Sequence, residues 1–184
     1  MKRQRPLTAL AHELLAAALH PGDRAIDATA GNGHDALFLA QQVGARGGVY
    51  AFDVQEQALQ STRERLTAAG LDGIVSLCHS GHEAMLQTVP GDWPGTVGAI
   101  TFNLGYLPGS DKQTSTQADS TLQALTQATR LLRSGGLLSI LAYRGHPGGQ
   151  HEADAVAAWL EAQASLACQT HDSPGPVLYH CTRH

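Results

Sequence analysis

The hydrophobic positions follow two different spacings along the chain, and these predict alternating helices and strands. Apolar residues at i, i+3, i+4 and i+7 spacing predict an amphipathic helix from Leu7 to Leu19. Short apolar runs predict buried strands near residues 25–27, 48–53, 74–78, 97–102 and 137–142. Helical spacing recurs near residues 34–43, 55–69, 116–134 and 152–164, before two last strands near Cys168 and from Val177 to Cys181. This alternation is typical of a single α/β domain whose parallel sheet carries helices on both faces.

A glycine turn follows the first strand. Gly31 and Gly33 allow the backbone to turn sharply and to approach a ligand closely. The helix that starts near His34 points its free backbone N–H groups at the same place. The stretch from Ala25 to Ala40 therefore predicts a binding turn of the nucleotide type.

Two carboxylates favour one class of ligand over another. The spacing Gly31-x-Gly33-x-x-Ala36, with Asp53 about 20 residues on, also fits the fingerprint of a nicotinamide dinucleotide. Asp27, however, would repel a pyrophosphate at close range. S-adenosylmethionine carries an ammonium and a sulfonium instead, so Asp27 would attract it, and Asp53 would accept hydrogen bonds from its ribose. A nicotinamide oxidoreductase, and carboxylates that merely cap a helix and end a strand, stay as alternatives.

The loop after the third strand is the next polar stretch at this edge of the sheet. Ser80 and His82 could read the adenine edge, although Ser80 with Glu83 also fits a helix capping box. We expect the cofactor to contact these loop residues, the strand ends and the glycine turn, a set that comprises Asp27, Gly31, Asn32, Gly33, His34, Asp53, Gln55, Ser80, His82, Asn103 and Leu104.

The fourth strand runs into a stretch that suits an amine acceptor. Asn103 offers a side-chain carbonyl, Leu104 a backbone carbonyl, and Tyr106 an aromatic plate, with Pro108 stiffening the turn. Such groups could hold an amino group with its lone pair towards a methyl donor while the attached ring stacks on Tyr106. A plain turn with Tyr106 as packing is the alternative.

A second glycine-rich loop follows the fifth strand. His146 is a candidate proton acceptor or RNA contact, and Glu152 a candidate cap or support of the loop. A merely solvated histidine is the alternative. Candidate phosphate contacts are Lys2, Arg3, Arg5, Lys112 and Arg144.

Composition limits these hypotheses. A chain of 184 residues that is 42% hydrophobic fits one domain with one sizeable core. The net charge of −4 lacks the basic excess typical of nucleic-acid binders, although some of the ten histidines could be protonated beside phosphates. The three cysteines are too far apart for a metal knuckle, and we interpret them as reduced thiols of a cytoplasmic protein without a bound metal. His12 and Glu13 interrupt the N-terminal apolar run, which argues against a signal peptide, and no stretch is long enough to span a membrane.

The stretches DATAGNGHDALFLA, NLGYLPGSDK and AYRGHPGG together resemble one family of small class I S-adenosylmethionine-dependent methyltransferases. This rRNA methylase family includes the MnmM (YtqB) enzymes, and the resemblance spans nearly the whole chain. It implies a Rossmann-like, seven-stranded, mostly parallel sheet whose last strand is antiparallel, within one domain over residues 1–184 that begins with a docking helix at 1–20. Position 110 departs from the family pattern, because it is Ser110 where the family pattern has a glycine.

The resemblance also implies a reaction. It is the N-methylation of the 5-aminomethyl group on the wobble uridine of certain tRNAs, which gives 5-methylaminomethyl-2-thiouridine and S-adenosylhomocysteine, with the tRNA anticodon loop as partner. We expect Asn103, Tyr106 and His146 to be the catalytic residues, and the substrate contacts to comprise Tyr106, Leu107, Pro108, Lys112, Arg144 and His146. An rRNA methyltransferase, a small-molecule amine methyltransferase and a catalytically silent cofactor-binding module remain alternatives. The oligomeric state is open, with a homodimer as one alternative.

Overall fold

The protein is built on one seven-stranded sheet. The computed structural model describes residues 5–105 and 116–184. The strand order is β3-β2-β1-β4-β5-β7-β6, in which β7 runs antiparallel to both of its neighbours and the other pairs from β3 to β5 are parallel. The predicted fold class, with its antiparallel last strand, is confirmed.

The elements follow one another in the predicted alternation. The strands are β1 (Arg24–Asp27), β2 (Gly48–Asp53), β3 (Val75–His79), β4 (Val97–Leu104), β5 (Leu132–Tyr143), β6 (Leu166–Asp172) and β7 (Pro176–Arg183). The helices are α1 (Leu7–Ala18), α2 (His34–Val43), α3 (Glu56–Ala68), α4 (Met85–Thr88), α5 (Ala118–Leu131) and α6 (Gly149–Glu161). Among the described residues, no helix has both the length and the hydrophobicity needed to cross a lipid bilayer.

Helices cover both faces of the sheet because the central strands are apolar on both sides. In β4, Ala99 packs into the core under α1 to α3, whereas Ile100 and Phe102 pack into the core under α4 to α6. Asn103 is an odd-numbered residue of the same strand and therefore belongs to the α1–α2 side. Helix α1 lies across β5 and β7, where Ala11 contacts Leu141 and Leu178.

Three predicted boundaries were wrong. Strand β4 extends to Leu104, so Asn103 and Leu104 pair with Leu141 and Ala142 of β5 instead of starting a turn. Helix α5 ends at Leu131, before the predicted end near residue 134, because β5 already begins at Leu132 beside Val97. The same helix begins at Ala118, after the predicted start near residue 116, and the Thr116 hydroxyl donates to Glu152.

The prediction of three reduced thiols was wrong for two of them. Cys168 and Cys181 form a disulfide, and only Cys78 is free. The two bonded residues lie directly opposite each other on the antiparallel strands β6 and β7, with Cα atoms 4.0 Å apart. Such pairs bring side chains together on one face, a proximity that spacing along the chain does not reveal.

Candidate functional site

The glycine turn lies at the carboxyl edge of the sheet, between β1 and α2. Both Gly31 and Gly33 have positive φ, 51° and 77°. A Cβ on Gly33 would lie 2.7 Å from the Cα of Thr62 in α3, and the Thr62 hydroxyl donates to the Gly31 carbonyl. Glycine is therefore required at Gly33 both for the left-handed backbone and for the close approach of α3.

Asp27 ends β1 and is completely buried behind this turn. Its Oδ1 accepts a hydrogen bond from the Thr29 N–H at 3.1 Å, but its Oδ2 has no hydrogen-bond partner among the described residues. Burial raises the pKa of Asp27 well above its usual value, and the nearby carboxylates of Asp35 and Asp53 raise it further. The backbone amides of Thr29 and Ala36 oppose these effects more weakly. A positively charged ligand group would satisfy this carboxylate.

Asp53 ends the neighbouring strand β2 and supports the same turn. Its two carboxylate oxygens accept backbone N–H groups from Gly31 and Gln55, each at 2.9 Å. Each oxygen keeps a second acceptor position, so the half-buried carboxylate can also accept hydroxyl donors from a ligand. Asp53 thus joins the glycine turn to the start of α3.

Asn32 and His34 face α3 from the outer side of the turn. The Asn32 carbonyl accepts the Arg65 Nε–H at 2.7 Å, and the exposed His34 ring lies 3.3 Å from Arg65 Nη2. The structure therefore places both residues in the predicted turn, with Arg65 as a support that the sequence did not indicate.

The loop after β3 closes one side of the site. The Ser80 N–H donates to the Asp53 carbonyl at 3.0 Å, and the Ser80 hydroxyl donates to the Gly81 carbonyl instead of capping a helix. His82 is buried beside Phe102, with Nδ1 at 3.2 Å from the Ala28 carbonyl. Burial lowers the pKa of His82 despite the nearby acidic charges, which favours a neutral ring.

Asn103 meets the glycine turn from β4. Its backbone N–H donates to the Thr29 hydroxyl at 2.7 Å, and its side-chain Nδ2 donates to Oδ2 of Asp35 in the first turn of α2. Thr29 also caps the carboxylate of Asp27 through its backbone N–H. Asn103, the residue predicted to hold the substrate amine, is therefore hydrogen-bonded directly to the turn predicted to bind the cofactor.

His12 of α1 completes this side of the site. Its Nε2 lies 2.6 Å from Asp35 Oδ1, and its ring stacks on Phe38 with centroids 4.1 Å apart. Helix α1, predicted only as a docking helix, thus contributes a polar side chain next to the site.

The loop after β5 approaches Asn103 from the other direction. A Cβ on Gly105 would lie 3.5 Å from the Tyr143 Cβ and 3.7 Å from His146 Nε2. His146 is buried, and its Nδ1 lies 3.0 Å from the Pro147 carbonyl. Tyr143 is 38% exposed, and burial together with the charge of Asp35 raises the pKa of its phenol. The solvated histidine considered from the sequence is therefore a buried one at the end of β4.

Glu152 binds two threonine hydroxyls through its carboxylate. It is 2% exposed and accepts the hydroxyls of Thr116 and Thr121 at 2.6 and 2.7 Å. The Thr116 N–H also donates to the Gly105 carbonyl at 2.9 Å. Residues 105 and 116 are thus held together, and Thr116 is also bound to Glu152.

The predicted substrate residue Arg144 has its partners within the protein. Arg144 is bound within the β6–β7 turn, where it pairs with Asp172 at 2.6 Å and donates to the Ser173 and Gly175 carbonyls. Tyr106, Leu107, Pro108 and Lys112 lie outside the described residues. The turn of Ser173 to Pro176 lies on the same edge as Tyr143, because Pro176 pairs with Tyr143.

In residues 5–105 and 116–184, no group of three or more histidine, cysteine, aspartate or glutamate side chains is arranged to hold a metal ion. The site instead combines carboxylates and an amide with imidazole rings, hydroxyls and backbone donors. This chemistry suits a cationic organic ligand with hydroxyl groups.

Three functional candidates were missed from the sequence. In the sequence, Asp35 has the pattern of an ordinary acidic residue in the first turn of a helix, where a negative charge is favourable. Tyr143 is the last residue of a strand, and nothing local assigns it to the site. His12 gave the only signal, since it is a polar residue inside an otherwise apolar run.

Comparison with known proteins identifies close relatives of this arrangement. The family model described as "Putative rRNA methylase" matches residues 49–172. The "tRNA (mnm(5)s(2)U34)-methyltransferase, chloroplastic" of Arabidopsis thaliana is 40% identical over 163 residues, which are 83% of this chain and 58% of the plant protein. The chain thus spans less than two thirds of the length of that relative.

Two solved structures match along almost their whole length. The "putative rRNA-methylase" of Clostridium thermocellum is 34% identical, with a TM-score of 0.93 over 98% of this chain and 99% of the other. SMU.1697c of Streptococcus mutans, a "putative methyltransferase" in complex with SAH, is 35% identical, with a TM-score of 0.86 and the same coverage. The predicted resemblance is confirmed: this chain belongs to the rRNA methylase family.

Proposed function

We propose that the protein is an S-adenosylmethionine-dependent methyltransferase that N-methylates the 5-aminomethyl group of the tRNA wobble uridine. The observation that carries the proposal is the direct bond between Asn103 and Thr29, because it places an amide beside the turn that fits the cofactor. The name of the Arabidopsis relative supports tRNA as the substrate. The relative solved with SAH supports the cofactor.

The residues around the turn fit S-adenosylmethionine. Asp27 offers a buried carboxylate oxygen that has no partner within residues 5–105 and 116–184, which suits a cationic part of the cofactor. Asp53 offers acceptor positions for ribose hydroxyls, and Ser80 and His82 line the side where the adenine would lie. When bound, the cofactor supplies a methyl group that is already activated by its sulfonium.

The protein's own task is then to place the acceptor. The Asn103 side chain donates through Nδ2 to Asp35, so its carbonyl oxygen lies on the opposite side of the planar amide and can accept an N–H of the substrate amine. The Leu104 backbone carbonyl is the second proposed acceptor of the amine. Holding the reacting atoms at near-attack distance supplies most of the acceleration that such a transfer needs.

The amine must be neutral before it reacts. An aminomethyl group is largely protonated at neutral pH, so one N–H bond breaks and the proton passes to a base. We propose His146 or water for this step, because the buried His146 ring lies close to the end of β4. Tyr106 would stack on the uracil ring, with Leu107 and Pro108 beside it.

The RNA is proposed to bind as a single-stranded loop. A wobble base in the anticodon loop is extruded at lower cost than a base in a duplex, which suits a small chain. Lys112 and Arg144 are proposed phosphate contacts, and Arg144 would exchange part of its bonding to Asp172. We propose that residues 1–184 act as one domain in the cytoplasm. Light scattering would distinguish a monomer from the homodimer.

Transfer of labelled methyl groups tests the proposal. Purified protein and labelled S-adenosylmethionine would be incubated in three separate reactions. The first contains tRNA that lacks the modification, the second rRNA, and the third small amines. We expect label in tRNA only. Label in rRNA or in a small amine would instead select that substrate class, and SAH binding without any transfer would indicate a silent binding module.

A further inference from the structure

Hydrogen bonds join three polar side chains in a row, from His12 of α1 through Asp35 to Asn103. His12 Nε2 lies 2.6 Å from Asp35 Oδ1, and Asp35 Oδ2 accepts the Asn103 side-chain N–H. The side chain of Asp35 is only 16% exposed. Both oxygens of one carboxylate are thus used to join two side chains that are 91 positions apart in sequence.

The bond from Asn103 decides which way its amide faces. Nδ2 and Oδ1 of an asparagine are alike in shape, so packing alone does not distinguish the two orientations. A carboxylate only accepts hydrogen bonds when ionised, so Asp35 selects the orientation in which Nδ2 faces it. The opposite orientation would bring the Asn103 oxygen against an acceptor. The carbonyl oxygen is therefore left for the substrate.

The bond from His12 holds the carboxylate in turn. Because the carboxylate accepts, Nε2 of His12 is the donor, and the stack on Phe38 fixes the plane of the ring. Helix α1 is itself anchored by Leu15, which is fully buried. The position of Asp35 thus depends on a helix that does not belong to the cofactor turn.

We propose that Asp35 is a positioning residue for methyl transfer, which fixes the side-chain carbonyl of Asn103 towards the substrate amine and is itself held by His12. The proposal rests on the function proposed above for Asn103 as the residue that holds the amine. It assigns to α1 a part in turnover in addition to its packing against β5 and β7.

Side-chain amide NMR tests the hydrogen bond without any substrate. The two Asn103 Nδ2 protons would be assigned by their loss in Asn103→Ala. We expect one of them to be shifted downfield and to exchange slowly in the unsubstituted protein, because charge-assisted hydrogen bonds are short and strong. The shift should disappear in Asp35→Ala. An Asn103 amide signal that is the same in both proteins would overturn the proposal.

Kinetics test the consequence. Asp35→Ala should lower kcat about a hundredfold, the size of effect expected from a misplacement of about 1 Å at the reacting group. The Kd for SAH should not rise, because removing Asp35 also removes a negative charge that raises the pKa of Asp27. A rise in the Kd for SAH that fully explains the lost turnover would assign Asp35 to cofactor binding and contradict the proposal.

Two substitutions of His12 separate positioning from packing. His12→Phe keeps the ring beside Phe38 but removes the donor, whereas His12→Gln keeps a donor and removes the ring. Positioning predicts that kcat falls about tenfold in His12→Phe and recovers in His12→Gln, as expected for one hydrogen bond to a charged group. If His12 only packs against Phe38, kcat should fall more in His12→Gln than in His12→Phe, and that result would overturn the proposal. His20→Phe is the control, since the His20 side chain is 73% exposed.

The two proposals fail in different ways. A protein that methylates no tRNA refutes the proposed substrate, while the Asn103 amide signal in Asp35→Ala still decides whether Asp35 orients Asn103. A protein that methylates tRNA equally well with Asp35→Ala refutes the positioning role alone.

Discussion

Replacing Asp27 by asparagine should stabilise the ligand-free protein and abolish its affinity for SAH. Asp27 is fully buried, its Oδ2 has no hydrogen-bond partner among the described residues, and two further carboxylates lie nearby. Asparagine is close in shape and keeps an oxygen that can accept the Thr29 N–H. The substitution therefore removes the unfavourable charge with little change in packing.

The size of the stabilisation follows from the buried charge. A buried polar group without a partner costs about 1–3 kcal/mol, and more when it is charged. The asparagine amide also lacks a partner among the described residues, so the substitution relieves only the additional cost of the charge, about 1 kcal/mol or more. Each kcal/mol relieved would raise the melting temperature by roughly 2–4 °C in a chain of this length. The gain should also depend on pH. The pKa of Asp27 is raised in the folded protein, so the folded state keeps this proton at pH values above 3.8, where the unfolded chain loses it. The contribution of Asp27 to the free energy of unfolding therefore falls as pH rises from 3.8 to the raised pKa.

Thermal unfolding and calorimetric titration with SAH measure the two effects. Asp53→Asn is the matched control, because the Asp53 oxygens accept backbone N–H groups from Gly31 and Gln55. An asparagine there can accept only one of them and directs its own amide at the other. We expect Asp27→Asn to melt higher and Asp53→Asn to melt lower than the unsubstituted protein.

The reasoning would be refuted if Asp27→Asn melted below the unsubstituted protein at neutral pH while still folding. That result would mean that the Asp27 carboxylate stabilises the fold instead of being held for a ligand. Unchanged affinity for SAH in this variant would equally contradict the assignment of Asp27 to the cofactor.

Three further predictions follow from the same site. Gly33→Ala should destabilise the fold by about 1–3 kcal/mol or more, because the backbone is left-handed and a Cβ would lie 2.7 Å from Thr62. Gly22→Ala, at φ 95° and with no described atom within 4 Å of the added Cβ, should cost less when both variants are unfolded in urea. SAH should bind more tightly as pH rises through the raised pKa of Asp27, since the ionised carboxylate attracts the ligand's ammonium. Calorimetric titrations across pH measure this slope, and an affinity for SAH that does not change with pH would contradict the role of Asp27. Asn103→Ala should keep SAH binding in calorimetry but lower single-turnover methylation about a hundredfold; equal loss of both would refute the division of roles.

The grouping of Asp27, the glycine turn and Asp53 could be predicted because its parts are local in sequence. Asp27 and Gly31 belong to one strand and turn, and Asp53 ends the next strand, which pairs with the first in parallel register. The carboxyl ends of such strands meet at one edge of the sheet, so the order of elements suffices.

The acceptor side could be predicted only in part. Asn103 was identified from its own neighbours, but its partner Asp35 depends on β4 lying next to β1, a crossover that local patterns do not reveal. His12 depends in addition on the path of α1 over the sheet. The register of β6 and β7, which joins Cys168 to Cys181, was hidden for the same reason.

Nucleoside mass spectrometry on tRNA would test the proposed reaction most directly. The tRNA would come from cells that lack the gene and would be incubated with the purified protein and S-adenosylmethionine. We predict that 5-aminomethyl-2-thiouridine decreases as 5-methylaminomethyl-2-thiouridine appears. If no tRNA nucleoside changed while SAH binding was intact, the proposed substrate would be wrong.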